Sequence, residues 1–111
     1  MLEKIYADYG WEQAAALLAI DSPTGYTAKA ALWVKDAFET LGFDASITVK
    51  GGVLVDLGGS NADDGLLLEA HADTLGAMVA EVKGNGRLRL SPLGGMNPPH
   101  ERSWCPEQRT A

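Results

Sequence analysis

Basic charge, cysteine and long apolar runs are scarce in this sequence, and each shortage removes a class of protein. Nine Lys and Arg stand against fifteen Asp and Glu, a formal charge of −6. Binding to nucleic acid needs a basic stripe to neutralise phosphates, so a nucleic-acid partner is not expected. Attachment to anionic membrane is disfavoured on the same ground. The longest apolar stretch, around Ala14–Ile20, is cut off by Asp21, Ser22 and Pro23, well short of the ~18–20 residues of a membrane span. Met1-Leu2-Glu3-Lys4 lacks the basic-then-apolar order of a signal peptide. The lone Cys105 excludes an internal disulfide framework and suits a reducing compartment. The expectation is a small, acidic, soluble, cytoplasmic chain. Its 111 residues are one domain at most, at roughly 100–200 residues per domain. A folded chain of this size buries roughly 65% of its extended surface, enough for one modest core.

What is present reads as α/β. Residues 3–20 form a helical pattern, with Ile5, Tyr9, Ala16 and Ile20 near one face and Gly10 as a point where the helix could bend or split. Pro23 stops it and biases Ser22 towards extended geometry. A second helix is predicted from about Thr27 to Leu41. Ala30, Val34, Ala37, Phe38 and Leu41 recur at helical spacing, Thr27 is its N-cap candidate and Gly42 its C-cap candidate. Trp11, Trp33 and Phe38 read as core or helix-interface residues.

After Gly42 the period becomes two. Ala45, Ile47 and Val49 alternate with Ser46, Thr48 and Lys50 as on a half-buried strand, Gly51-Gly52 turns, and Val53 to Leu57 returns. Gly58 to Gly65 is a polar loop in which Asp63-Asp64 lacks the further oxygen ligands of a calcium site. Leu66-Leu67-Leu68-Glu69-Ala70-His71 is a short continuous apolar run, the mark of a strand buried on both faces. A second hairpin follows, Met78 to Lys83 and Arg87 to Leu90 around Gly84-Asn85-Gly86. Neither glycine-rich stretch leads into a helix N-terminus, so both read as hairpin turns rather than phosphate cradles.

The chemistry concentrates at Ala70-His71-Ala72-Asp73-Thr74-Leu75-Gly76. Open α/β sheets place ligands beyond the carboxyl ends of their strands. In extended chain residues i and i+2 point the same way, so His71 and Asp73 can share a face. A metal-bound imidazole usually donates its other N–H to a carboxylate, which fixes tautomer and orientation. Taken alone, the pair reads either as such a ligand with its orienting carboxylate or as a hydrogen-bonded structural pair. His100 and Cys105, five apart with no second pair, are a poor zinc signal.

Several motifs occur in order: Asp21-Ser22-Pro23-Thr24-Gly25-Tyr26, Lys50-Gly51-Gly52-Val53, the His71 segment, Lys83-Gly84-Asn85-Gly86-Arg87-Leu88, and Leu93-Gly94-Gly95-Met96-Asn97-Pro98. Over about residues 11–98 they resemble the N-terminal portion of the family-42 metallo-aminopeptidases, the glutamyl, cellulase-M-like and tetrahedral aminopeptidases. A looser likeness is to the di-zinc exopeptidases and deacylases that share His-x-Asp. The resemblance implies the N-terminal part of a di-zinc exopeptidase-like α/β catalytic domain: two helices, then mixed-sheet strands and hairpins, incomplete. Residues 1–76 would open that domain, and 77–98 would be the first hairpin of an inserted β-rich oligomerisation domain. Residues 99–111 depart from the family and are expected to be a disordered tail, as a truncation or frameshift would leave. His71 stands at the position of the first metal-binding histidine, and Asp73 at the catalytic position that orients it. The intact family uses two divalent ions, zinc or cobalt, to activate a water against the N-terminal bond of a peptide.

A two-metal site needs roughly six or more protein ligands and a base. After Asp73 the sequence has no Asp, and only Glu81, His100, Glu101, Cys105 and Glu107 remain as ligand types. The expectation is therefore a fragment of a metal-dependent aminopeptidase, inactive alone, with weak metal binding or none. The alternative is a non-catalytic interaction module that self-associates through exposed sheet edges.

Overall fold

The computed structural model describes residues 2–61 and 63–95. The tail 99–111, with His100, Trp104 and Cys105, lies outside the described residues, as do Met96 to Pro98. The chain falls into two compact units, Met1–Asp73 and Thr74–Ala111.

The first unit opens with helix α1, Leu2–Leu18, in which Ala, Leu, Glu and Lys supply high helix propensity. It runs through Gly10 without the split that this glycine could have allowed. Its end tightens into an i→i−3 bond, Ile20 N–H to Leu17 O at 3.1 Å, shortly before Pro23. No residue of α1 is buried, and Trp11, expected in a core or interface, is 78% exposed. The reason lies in the winding. At 3.6 residues per turn Trp11 and Leu18 fall on the face opposite Ile5, Tyr9, Ala16 and Ile20, so no single contact could cover both sets.

Helix α2, Ala28–Thr40, packs against α1 and against the first hairpin. Its contact side carries Ala30 and Ala31, the two buried apolar residues among those described. Their small side chains let the backbones approach closely. Trp33 and Phe38 are half-buried, and Phe38 meets Phe43 edge to face with ring centroids 6.4 Å apart. Thr27 precedes the helix with helical angles (φ −102°, ψ −2°) and makes no side-chain cap. An N-cap hydroxyl reaches the N2 or N3 amide from extended backbone, which Thr27 does not have. The C-terminus is fully capped. Gly42 at φ +90° donates to Glu39 O at 2.9 Å, and Phe43 donates to Phe38 O at 3.1 Å, the two bonds of a Schellman motif.

Strands β1, Ala45–Ile47, and β2, Val53–Val55, pair antiparallel with Ser46 opposite Leu54. Thr48 N–H bonds Gly52 O at 2.8 Å and Gly51 N–H bonds Thr48 O at 2.9 Å, with Gly51 at φ +83°. This is a three-residue loop closed by a left-handed glycine. Val49 therefore sits at the loop tip, wholly exposed, rather than continuing the half-buried face of β1. The polar alternation extends into the turn, where it no longer reports a sheet face.

The second unit contains β3, Gly76–Val82, and β4, Leu88–Leu93, also antiparallel. Its turn repeats the first: Gly86 at φ +79° donates to Lys83 O at 2.9 Å, and Lys83 N–H bonds Arg87 O at 2.8 Å. A bulge at Ala80 shifts the register between Val79 and Glu81. Beyond it Glu81 faces Arg89, and their side chains pair at 3.0 Å.

Two expectations are corrected. Leu66–His71 forms no strand, and Leu66, Leu67 and Leu68 are 87, 74 and 77% exposed. A strand exists only through its neighbours, and among the described residues no segment pairs with this one. Without it the described strands make two antiparallel pairs rather than a mixed sheet. The modest core is likewise reduced to Ala30 and Ala31 among the described residues, because α1 meets α2 without burying any of its own residues and the leucine run is exposed.

Candidate functional site

The site lies in the first unit, where the loop between α1 and α2 meets residues 70–73 and the tip of the first hairpin. They enclose a cleft of about 440 Å³, open to solvent, whose lining includes Thr24, Gly25, Lys50, Gly51, His71 and Asp73. The loop is built for this contact. Tyr26 N–H bonds Pro23 O at 2.8 Å across a turn whose third residue, Gly25, has φ +88°. A type II turn places a left-handed residue there, which favours glycine.

From that turn two hydroxyls reach the segment bearing His71. Ser22, only 2% exposed, donates through Oγ to Ala72 O at 2.9 Å. Thr24 Oγ1 donates to Asp73 Oδ2 at 2.8 Å. The other carboxylate oxygen, Oδ1, lies 3.1 Å from His71 Nδ1, and the Asp73 carbonyl oxygen lies 3.0 Å from the same nitrogen. Neither a carboxylate nor a carbonyl can donate, so Nδ1 carries the hydrogen, and in the neutral ring Nε2 then keeps the lone pair. The imidazole is 86% exposed and its carboxylate partner 38%. The Thr24 hydrogen bond is the largest influence on Asp73; desolvation opposes it, and with the smaller contributions of the His71 charge and hydrogen bond the pKa lies below its ordinary 3.8.

The structure thus brings His71 and Asp73 together as their i, i+2 spacing implies. Sequence reasoning gave no role to Thr24, Ser22 or Lys50. The signal was the ordered motif Asp21-Ser22-Pro23-Thr24-Gly25, but nothing local says that it touches residues some fifty positions later. Among the described residues no group of three or more His, Cys, Asp or Glu could hold a metal ion. The donors present fit one position of a metal site, an imidazole nitrogen backed by a carboxylate. They fall short of the three protein ligands of a catalytic zinc.

Residues 51–103 match the family of M42 glutamyl aminopeptidases. The Bacillus subtilis (strain 168) protein named "Putative aminopeptidase YhfE" is 37% identical over 79 residues, 71% of this chain and 23% of that protein. Glutamyl aminopeptidase of Lactococcus lactis subsp. cremoris (strain MG1363) is 30% identical over 90 residues, 79% of this chain and 25% of that protein. The class these matches define is the aminopeptidases. Within it the chain is similar over part of its length to the M42 glutamyl aminopeptidases. It spans about a quarter of the length of the curated relatives it matches.

Proposed function

We propose that this chain is part of a metal-dependent aminopeptidase, in which His71 supplies the first metal-binding nitrogen and Asp73 orients it. The observation that carries the reading is the His71 Nδ1–Asp73 Oδ1 contact at 3.1 Å in a chain similar to this family. In the neutral ring that contact leaves the lone pair on Nε2, the state a metal ligand needs. In the intact family, zinc or cobalt activates water for attack on the N-terminal bond of a peptide. In this reading residues 1–76 open the catalytic domain and 77–98 begin an inserted β-rich domain. The compartment is the cytoplasm, which the single Cys105 suits.

With one imidazole among the described donors, the chain alone binds zinc weakly and turns over no substrate. Two measurements test this. Zinc titrated into the labelled chain is expected to perturb resonances of residues 70–74 first, and His71→Ala to abolish that perturbation. Perturbation centred elsewhere counts against His71 as a ligand. Release of amino acid from aminoacyl-p-nitroanilides with zinc, cobalt or manganese is expected to stay at background. Metal-dependent turnover lost in His71→Ala would overturn the inactivity.

A second reading concerns association. Leu66, Leu67 and Leu68 expose three consecutive apolar side chains on backbone that pairs with no described strand. Such surface favours self-association, and light scattering that shows a clean monomer at all concentrations would dispose of it.

A further inference from the structure

Thr24 stands at the second position of the Pro23–Tyr26 turn, where Gly25 at φ +88° and the Tyr26 N–H to Pro23 O bond fix the backbone. Two residues earlier, the buried Ser22 hydroxyl holds the Ala72 carbonyl. The loop therefore grips the segment at Ala72 and again at Asp73. A carboxylate held only at Oδ1 is free to rotate about its terminal torsion and to exchange its oxygens with water. With Oδ2 occupied by Thr24, Oδ1 is left directed at His71 Nδ1. On an 86% exposed ring, where water competes for every contact, that restraint adds to the Asp73 carbonyl oxygen, 3.0 Å from the same nitrogen, in favouring hydrogen on Nδ1.

We infer that Thr24 is a positioning residue, whose hydroxyl aims the Asp73 carboxylate and so selects the His71 tautomer with hydrogen on Nδ1 and the lone pair on Nε2. Ser22 fixes the approach of the two segments, and Gly25 supplies the turn that presents Thr24. The chain of contact runs from Thr24 Oγ1 through both oxygens of one carboxylate to one imidazole nitrogen. It is specific to a hydroxyl: valine fills the same volume without a donor, while serine keeps the donor and loses a methyl. The inference does not depend on the peptidase reading, since it concerns a proton on the metal-free chain.

The test is the nitrogen NMR spectrum of the imidazole in the full chain, without metal, followed across pH and read for the tautomer of the neutral ring. His71→Ala assigns the signals against His100. The wild-type chain is expected to hold His71 mainly as the Nδ1–H tautomer. Thr24→Val is expected to lower the ratio of Nδ1–H to Nε2–H by about fivefold, the scale of one net hydrogen bond. Thr24→Ser restores it. An unchanged ratio in Thr24→Val overturns the inference, as does a serine variant that behaves like valine. Collapse of the dispersed amide spectrum in Thr24→Val overturns it too, because Thr24 would then hold the fold rather than aim a carboxylate. A failed zinc titration with the tautomer result intact would count against His71 as a metal ligand and leave this inference standing.

Discussion

Asp73 accepts hydrogen bonds at both carboxylate oxygens, and together those bonds outweigh the desolvation that opposes them. Thr24 is the largest influence and His71 adds to it, so the folded pKa lies below the ordinary 3.8. A carboxylate depressed on folding contributes its stability above the unfolded value and loses it as pH falls through the folded one. The His71–Asp73–Thr24 contacts are therefore expected to be complete at neutral pH and to dissolve only below about pH 3.8. In Thr24→Val the Asp73 midpoint moves up towards 3.8, measured by the carboxyl carbon shift during acid titration. At this scale the sequence is half legible. His71 and Asp73 are two apart on extended chain, so their meeting follows from local geometry. The meeting of Thr24 with Asp73 depends on a fold that closes 49 residues of chain, which no spacing rule conveys.

Each helix carries one glycine whose substitution has a definite sign. Gly10 sits in the exposed interior of α1 with helical φ, and an added Cβ would meet nothing within 4 Å. Gly10→Ala is expected to stabilise the first unit by up to about 1 kcal/mol through reduced backbone freedom in the unfolded chain. Gly42 has the same empty surroundings but φ +90°. Gly42→Ala is expected to cost about 1–2 kcal/mol by forcing a left-handed alanine at the end of α2. Denaturant midpoints followed by far-ultraviolet circular dichroism check both. Helices and hairpins are the legible elements because their signals are self-contained: a 3.6-residue period, a change to period two, a glycine at the turn. Val49 shows where such a signal overruns its element, for alternation persists one step into a loop. The leucine run shows the opposite failure. A continuous apolar stretch is stabilised as a strand by what lies beside it, so its sequence states an affinity for neighbours and not a conformation.

Among the described residues, the large apolar side chains are mostly exposed. Leu66, Leu67, Leu68, Trp11 and Leu18 are each more than 70% exposed, whereas Ala30 and Ala31 make up the buried apolar residues among those described. The expected consequence is association that grows with concentration, and Leu67→Lys with Leu68→Lys is expected to shift the scattering mass towards monomer. No described helix is long and apolar enough to cross a membrane. The contacts that fasten residues 71–73 have one more property. Ser22 bonds a carbonyl, Thr24 a carboxylate, and His71 both kinds of oxygen; each of these bonds ends on an acceptor and none shelters an amide. Deuterium would therefore enter the amides of residues 66–71 about as fast as into an unstructured peptide, even while the ring and carboxylate beside them hold a fixed geometry. In this molecule amide protection will trace the helices and hairpins and pass over the one place where the chemistry is arranged.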